Sequence, residues 1–363
     1  MNFRIILTYF LSFLFLPLSS QNTQPVNIGL LIQDKASLAA RQGAELAIKA
    51  ANENGGFNGR PFQLLTKSME GPWGTGSKQA VDLIFEDEVW ALLGSHDGRN
   101  AHLVEQAAAK SMVVFVSVWA SDPTLTQAFI PWVFNCVPTD RQQAEGLIND
   151  IYNKRKMIRV ATISDQAYDS NMALKSYLQS LQLAGKNKPQ QFLFDNYKAD
   201  LNGLVDQLMK SEIDCVILFF QPSAALKIVR LFRQRKMNLP VFGSLSILNE
   251  DYFSIEELRE FDNRMFIASP WSGSGSMTFR QEYQKTYGEM PGLLASYAFD
   301  GMNVIIDAIR TSGVPDHDKI QQALSKVLFE GVTGRIQFDN NGNRSGSIDL
   351  KGIKNGVPVD VSH

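Results

Sequence analysis

Short apolar runs alternate along the chain with longer segments in which apolar residues recur at helical spacing. The first pattern is typical of strands buried in a sheet, and the second of amphipathic helices packed on it. The predicted strands are Val26–Ile32, Phe62–Thr66, Val89–Leu93, Met112–Val118, Ile158–Ser164, Gln191–Phe194, Cys215–Phe220, Val241–Gly243 and Met265–Ile267. The predicted helices are Leu38–Asn52, Ser77–Glu88, Ala101–Lys110, Asp140–Lys154, Ser170–Ala184, Leu201–Ser211, Ser223–Arg235, Met277–Tyr287, Leu293–Thr311 and Lys319–Leu328. This alternation predicts an α/β fold with doubly wound parallel sheets.

Two such sheets are expected, because one set of strands and helices is complete before residue 140 and a new set follows it. The last three helices have no strands between them, so we expect them to return to the first sheet, before a closing β segment at Arg335–Phe338 and a turn at Asn340–Gly342. The predicted lobes are residues 21–139 plus about 271–345, and residues 140–270 plus about 346–363. Several crossings between two Rossmann-like lobes predict a multi-strand hinge with a ligand cleft between them.

Residues 1–20 have the composition of a secretory signal peptide. One early positive charge, Arg4, precedes an apolar run over residues 5–18, and small residues follow. Pro17 interrupts the run, so a membrane-anchor helix is the weaker interpretation. We expect cleavage near Ser20 and a soluble protein in the periplasm or outside the cell.

Charge and cysteine content exclude several classes of function. The chain has 35 Lys and Arg against 37 Asp and Glu, a net charge of -2 and a pI near 6.1, so it offers no basic field for nucleic acid. Its two cysteines, Cys136 and Cys215, lie in apolar surroundings and are expected to be small buried side chains, although a bridge between them stays open. Its four histidines form no ligand-like pair, so no metal site is expected.

Five polar side chains follow the predicted strand Val89–Leu93 and precede the helix that begins at Ala101. In an open parallel sheet the strands end at a crevice, and the N–H groups at the start of the next helix face it. The candidate ligand contacts here are Ser95, His96, Asp97, Arg99 and Asn100. The alternative is that Asp97 or Asn100 only caps the helix. Binding is favoured because five polar side chains exceed what a cap requires.

Four ordered motifs lie at Asn52–Arg60, Asp122–Thr126, Val133–Gln143 and Gly331–Asp339. They resemble motifs of periplasmic binding proteins of the leucine/isoleucine/valine type. The turn Asn52–Arg60 is similar to the family's Asn-x-x-Gly-Gly-x-Asn-Gly-Arg, and Asp122–Thr126 to its x-Pro-x-Leu-Thr. The segment Val133–Gln143 resembles Val-Phe-Arg-x-x-Pro-x-Asp-x-x-Gln, and Gly331–Asp339 resembles the closing Gly-x-x-Gly-x-x-x-Phe-Asp. Together the motifs span almost the whole chain after the signal segment, which makes the resemblance specific for the fold.

The resemblance implies two lobes that close on a small ligand without chemistry on it. By position, Gly98 stands where the family has a ligand-binding serine, and Tyr168-Asp169 stands where the family has Tyr-Gly. The Trp119 carbonyl and the Ser121 hydroxyl would meet the head group of the ligand. The predicted ligand-binding set is Ser95, His96, Asp97, Gly98, Arg99, Asn100, Trp119, Ala120, Ser121, Tyr168, Asp169, Gln221, Ser244 and Leu245.

Departures from the family pattern put a branched-chain amino acid ligand in doubt. The loop after the first strand is the shorter Gln33–Ser37, and Leu245 stands where amino-acid binders have an acidic residue. Other side chains offer alternative anchors. Candidates to hold a cation are Asp97, Asp165 and Asp169, candidates to hold a carboxylate are Arg99 and Lys35, and candidates to stack on a ligand are Trp73, Trp119, Tyr168 and Trp271. Trp90 and Trp132 are expected to pack within the lobes, and packing is slightly favoured for Trp271.

Three motif-like strings do not predict catalysis or metal binding. Gly71–Lys78 resembles a phosphate loop, but Ser77 occupies the position of its lysine. Asp339–Ser347 begins like a calcium loop, yet Arg344 takes the place of the glycine, so a β-turn is favoured. Ser95, His96 and Asp97 are adjacent on one loop and cannot readily adopt the geometry of a hydrolytic triad.

The sequence therefore predicts a non-enzymatic solute-binding protein without cofactor or metal. We expect a monomer that binds a small polar metabolite, of the amino acid, amide or carboxylate class, and delivers it to the permease of an ABC importer. The alternatives are a ligand sensor that signals to a separate membrane partner and, as a minor possibility, a periplasmic hydrolase.

Overall fold

The computed structural model describes residues 24–72, 74–128, 130–194, 200–271 and 277–361, and it has the predicted architecture of two doubly wound α/β lobes. Five parallel strands form the first sheet: β1 (Val26–Ile32), β2 (Phe62–Ser68), β3 (Ala91–Ser95), β4 (Val114–Ser117) and β5 (Val133–Asn135). Their order across the sheet is β2-β1-β3-β4-β5. The connecting helices are α1 (Ala39–Glu53), α2 (Thr75–Phe85) and α3 (Gly98–Ser111).

The second sheet is also parallel over most of its width. Its parallel strands are β6 (Val160–Ser164), β7 (Gln190–Leu193), β8 (Cys215–Phe219), β9 (Val241–Gly243) and β10 (Met265–Ala268). The helices between residues 140 and 258 are α4 (Asp140–Ile148), α5 (Tyr168–Leu183), α6 (Leu201–Lys210), α7 (Pro222–Gln234) and the one-turn α8 (Ile255–Leu258). The first and second lobes are defined below as the elements packed around the first and second sheets.

The C-terminal part of the chain contributes to both lobes. Its elements are α9 (Met277–Tyr287), α10 (Leu293–Ser312), α11 (His317–Leu324), β11 (Phe329–Gly331), β12 (Gly334–Ile336), β13 (Leu350–Lys354) and β14 (Val357–Asp360). Helix α10 packs against α1 and β3 of the first lobe. The two helices approach closely at Gly43, where a Cβ atom would lie 2.2 Å from the Ala295 carbonyl oxygen. The pair β13–β14 joins β10 in antiparallel orientation, so the second sheet has the order β14-β13-β10-β9-β8-β6-β7.

Three parts of the sheets were not predicted from the pattern of apolar residues: β5, β11 and the β13–β14 hairpin. Strand β5 has three residues, which is too short for a periodicity to be recognised. The β13–β14 hairpin carries a readable signal in its Asn355-Gly356 turn, whose positive φ angles of 52° and 73° suit a two-residue hairpin turn.

Several predicted elements have other ends in the structure: Ser77–Glu88 is α2 (Thr75–Phe85), the helix predicted from Ala101 begins at Gly98, and Lys319–Leu328 is α11 (His317–Leu324). Two further predicted ends were also wrong. The helix predicted over Asp140–Lys154 is α-helical only to Ile148, and Asn149–Lys154 continues it as a π-helical turn. The strand predicted from Met112 begins at Val114, because Met112 adopts a left-handed conformation that ends α3. Neither change moves the loops that face the space between the lobes.

Arg344 anchors the crossing between the lobes. Asn135, at the end of β5, forms a parallel β-bridge with Asn343. The residue after Asn343 is Arg344, whose side chain is 2 % exposed. Its guanidinium group donates to the carbonyl oxygens of Cys136, Thr333 and Arg335 and to the Thr333 hydroxyl, at 2.8 to 3.2 Å. Hydrogen bonds from this one side chain thus connect its own segment to Cys136 and to the segment that contains Thr333 and Arg335.

Both cysteines are buried, as predicted from the sequence, and both are free thiols, so they form no bridge with each other. Burial raises the pKa of Cys136 and of Cys215 to about 12, so neither thiol is reactive near neutral pH. Among the described residues, no helix is both long and apolar enough to cross a membrane.

Candidate ligand-binding cleft

A cavity of about 210 Å³ lies between the lobes, where the carboxyl ends of strands from both sheets meet. Crevices at this edge of parallel sheets are the usual ligand sites of α/β folds. The cavity is lined by Gln33, Ser95, His96, Asp97, Arg99, Trp119, Ala167, Tyr168, Asp169, Gln221, Pro222, Ser246, Asn249 and Tyr252.

Most of the predicted set lines this cavity, and six of its members do not. Those that line it are Ser95, His96, Asp97, Arg99, Trp119, Tyr168, Asp169 and Gln221. Those that do not line it are Gly98, Asn100, Ala120, Ser121, Ser244 and Leu245. The Ser121 hydroxyl donates to Asp140 at 2.7 Å, and the Leu245 amide donates to Gln143 at 2.8 Å. These two residues therefore serve the packing behind the cavity wall.

Several alternative anchors also lie away from the cavity. The Asp165 carboxylate accepts from the amides of Ala167 and Gln221, and it is fully buried. Lys35 is exposed and does not line the cavity. Trp271 is buried in the apolar core, whereas Trp73 lies outside the described residues. Trp90 and Trp132 are partly buried against the same core, as predicted for packing residues.

Asp97 caps helix α3, which was the alternative interpretation of this residue. Its Oδ1 accepts from the Asn100 amide at 2.8 Å, and its Oδ2 accepts from the side-chain amides of Asn100 and Gln33 at 3.2 Å. The cap satisfies one of the free N–H groups at the helix start. Asp97 thus stabilises the loop and lines the cavity at the same time.

Replacing Asp97 with alanine is expected to lower the free energy of unfolding by about 1 to 2 kcal/mol, since the cap and its Gln33 contact are lost. Arg99→Ala is the matched control in the first turn of the same helix, because loss of its exposed side chain should change stability by less than about 0.5 kcal/mol. Urea denaturation of both variants measures the difference. Equal stability of the two variants would contradict the capping role.

Direct hydrogen bonds join the lobes beside the cavity. The Gly98 amide, at the start of α3, donates to Asp169 Oδ1 of the second lobe at 2.9 Å. The Tyr168 hydroxyl donates to Asp122 Oδ2 of the first lobe at 2.8 Å. Because these bonds require the lobes to be close together, the structure represents a closed arrangement.

His102 supports the first-lobe side of this contact. Its Nδ1 lies 2.8 Å from Glu105 Oε2, and its Nε2 lies 3.1 Å from Asp122 Oδ2 and 3.0 Å from Thr124 Oγ1. Hydrogen bonds to Asp122 and then Glu105 raise the pKa of His102 to about 9. The positive imidazolium therefore holds Asp122 in place as the acceptor for Tyr168.

This pair predicts a pH dependence of stability. The folded-state pKa of His102 exceeds its ordinary value of 6.5, so its contribution is complete below pH 6.5 and is lost as pH rises through about 9. The ring is partly exposed, which reduces the contribution to about 1 to 2 kcal/mol. His102→Gln should therefore be less stable than the parent below pH 6.5, and nearly equal to it above pH 9. Denaturant titrations at both extremes check this; a difference independent of pH would contradict it.

His96 contributes a neutral ring to the cavity wall. Burial lowers the pKa of His96 to about 4, and its ring stacks on Phe115 with centroids 5.9 Å apart. The Ser95 hydroxyl donates to the Leu31 carbonyl, and His96 Nδ1 lies next to the Asp97 carbonyl. Ser95, His96 and Asp97 are therefore not oriented as a hydrolytic triad.

Two helices of the first lobe are capped from the second lobe. Glu250 accepts from the amides of Leu294 and Ala295 at the start of α10, at 2.9 and 2.8 Å. Asp251 Oδ1 accepts from the amides of Leu38 and Ala39 at the start of α1, at 3.0 and 2.9 Å. Neither helix has a side-chain cap of its own at the flanking residue. We refer to Glu250 and Asp251 as the capping pair.

A larger groove of about 790 Å³ lies on the other side of the capping pair. It runs between the start of α1, the segment before α10 and the β13–β14 hairpin. Its lining residues include segments that follow β1 and β9 but none from the loops after β3, β4, β6 and β8, whereas all four of those loops line the smaller cavity. The smaller cavity is therefore the better candidate for a ligand site despite its size.

Comparison with known proteins agrees with the fold. The family model described as "Periplasmic binding protein" matches residues 25–348. The chain belongs to the periplasmic binding protein family. A leucine-, isoleucine-, valine-, threonine- and alanine-binding protein of Pseudomonas aeruginosa is 23 % identical over 317 residues, which cover 84 % of this chain and 81 % of that protein.

Several solved structures share this fold. The substrate binding protein of a branched-chain amino acid transporter from Streptococcus pneumoniae, in complex with isoleucine, gives a TM-score of 0.80 at 20 % identity. The match covers 92 % of this chain and 98 % of that one. A solute binding protein of an ABC transporter from R. palustris, in complex with benzoate, gives 0.77 at 16 % identity and covers 92 % and 95 %. These relatives are described as solute-binding proteins rather than enzymes.

Several cavity residues are absent from the predicted set. They are Gln33, Ala167, Pro222, Ser246, Asn249 and Tyr252. Gln33 directly follows β1, so the strand-end rule that identified the loop after β3 also applies to it. Asn249 and Tyr252 lie in the irregular segment after β9 and have no such signal. Only the folding of this segment brings them to the cavity.

Proposed function

We propose that this chain is an extracytoplasmic solute-binding protein that captures a small polar metabolite by lobe closure and delivers it to an ABC importer. The metabolite would belong to the amino acid, amide or carboxylate class. The closed cavity between the lobes, with polar groups from both, is the observation that carries the proposal. A ligand that contacts both lobes stabilises the closed form in proportion to its differential affinity for that form.

The size of the cavity suits a metabolite of this kind. An apolar cavity of about 150 Å³ accommodates benzene, so a space of about 210 Å³ fits an amino acid or a one-ring solute. Trp119, Tyr168 and Tyr252 supply aromatic surface, and Arg99, Asp169 and Gln221 supply polar groups. This mixture of a few polar groups with aromatic surface is typical of small-molecule sites.

The remaining parts of the proposal concern organisation and location. The lobes would comprise residues 21–139 plus about 271–345, and residues 140–270 plus about 346–363. Residues 1–20 would act as a secretory signal, cleaved near Ser20, which fits the extracytoplasmic location of the family. The protein would act as a monomer without a cofactor or catalytic activity and would dock on a membrane permease.

A thermal-shift screen of the purified chain from Gln21 tests the proposal. The library contains amino acids, amides, ureas, small carboxylates and aromatic acids, and calorimetry follows each stabilising compound. We expect at least one compound to raise the melting temperature and to bind at a single site. Deleting the protein should then reduce cellular uptake of that compound. A well-folded sample that no compound stabilises would contradict solute binding, and unchanged uptake would contradict delivery to an importer.

A further inference from the structure

The start of helix α3 is the natural place for an anionic ligand group in this cavity. Helix N-termini present free amides and a positive dipole end, and α3 begins beside the cavity wall. In this chain, however, carboxylates of the protein itself occupy two of those amides. Asp97 accepts from Asn100, and Asp169 of the second lobe accepts from Gly98.

The contact between Gly98 and Asp169 depends on the absence of a side chain at residue 98. A Cβ atom there would lie 3.0 Å from Asp169 Oδ1, 3.0 Å from Asp122 Cβ and 3.2 Å from Tyr168 Cε1. Glycine therefore lets the second lobe approach the helix until the carboxylate reaches the amide. Gly98 and Asp169 are 71 positions apart in the sequence, and the fold brings the amide of one to the carboxylate of the other.

The charges around the cavity are unbalanced. Its wall contains the carboxylates of Asp97 and Asp169 against a single guanidinium, Arg99, whereas His96 is neutral. Both oxygens of Asp97 already accept hydrogen bonds. Asp169 Oδ2, in contrast, has no hydrogen-bond donor among the described residues, and burial together with the charge of Asp97 raises the pKa of Asp169 to about 7. A cation placed beside Asp169 would offset the free-energy cost of keeping this buried carboxylate charged next to Asp97.

We propose that Asp169 determines specificity in the cleft, by occupying the helix amide that a ligand carboxylate needs and by presenting its free oxygen to a cationic group of the solute. This inference rests on the proposed solute-binding function and, within that function, favours cationic solutes over the carboxylate class. The solute is a small ammonium or amidinium compound whose body packs on Trp119, Tyr168 and Tyr252, since aromatic faces also attract cations. A simple carboxylate meets two like charges at the start of α3 and is rejected.

Benzamidine, benzamide and benzoate test the inference, because they share one ring and one planar head group and differ in charge. Calorimetry on the parent protein should give the affinity order benzamidine, benzamide, benzoate, with at least about a ten-fold span between the first and last. Asp169→Ala exposes the Gly98 amide and removes the charge, so benzoate should gain affinity and the order should reverse. Asp169→Asn keeps the shape of the side chain and should abolish the preference for benzamidine.

Glu256→Gln is the matched control, since it removes an exposed carboxylate from the second lobe away from the cavity. Its affinity order should equal that of the parent. Circular dichroism and melting curves confirm that each variant is folded. Three results would overturn the inference. They are a parent protein that prefers benzoate, an affinity order that is unchanged in Asp169→Ala, and no binding of the three probes to either protein. The broader solute screen tests the proposed function separately, so the two failures can be distinguished.

Discussion

Replacing Arg344 with alanine is expected to lower the free energy of unfolding by about 3 to 5 kcal/mol. The side chain is buried, and the five hydrogen bonds from its guanidinium group join the end of β5 to the segment around β12. Its loss leaves the carbonyl oxygens of Cys136, Thr333 and Arg335 without these donors, together with a cavity. It also leaves the buried Asp300 carboxylate without the cation that lowers its pKa against the effect of burial.

Arg335→Ala is the matched control, because this arginine lies on β12 and is exposed. Its stability should change by less than about 0.5 kcal/mol. Arg344→Lys should fall between the two, since lysine keeps the charge but cannot reproduce the planar fork of donors. Urea denaturation monitored by tryptophan fluorescence gives all three values. If Arg344→Ala matched the Arg335 control, the proposed anchoring role of Arg344 would be wrong.

The second large effect is expected on lobe closure when both members of the capping pair are replaced by alanine. In the structure Glu250 and Asp251 accept from the amides at the starts of α10 and α1. We expect separation of the lobes to break these bonds and to expose both helix ends to water. Loss of both caps should disfavour the closed form by about 1 to 3 kcal/mol, which is roughly a 5- to 150-fold shift in the equilibrium. Small-angle X-ray scattering should show a larger radius of gyration, and the affinity for any solute found by the screen should fall.

Glu256→Gln again provides a control from the same segment of the second lobe. Its scattering profile and affinity should equal those of the parent. Burial raises the pKa of Glu250 to about 7. Glu250→Gln keeps the size of the side chain and removes its charge, so this variant shows how much of the effect on closure is due to the charge. A double variant that keeps the radius and affinity of the control would show that the capping pair stabilises the folded lobes without influencing closure.

The periodicity of apolar residues was sufficient to predict the two-sheet α/β architecture, because strands and helices each have a characteristic spacing of apolar positions that can be recognised in consecutive residues. The strand-end rule predicted Asp97 and Arg99 as ligand contacts, and the family resemblance added Trp119 and Tyr168; all four line one cavity. The β13–β14 hairpin was missed although its Asn-Gly turn was visible. The sequence thus determined the fold class and the main loops around the site.

Only the tertiary structure decided how these loops use their polar groups. Asp97 reads as a ligand contact in the sequence, yet its oxygens are committed to a helix cap and to Gln33. The bonds of Asp169 to Gly98 and of Glu250 to the start of α10 join residues 71 and about 44 positions apart. Local pattern carries no information on such pairs, because their geometry depends on how two separately folded lobes meet.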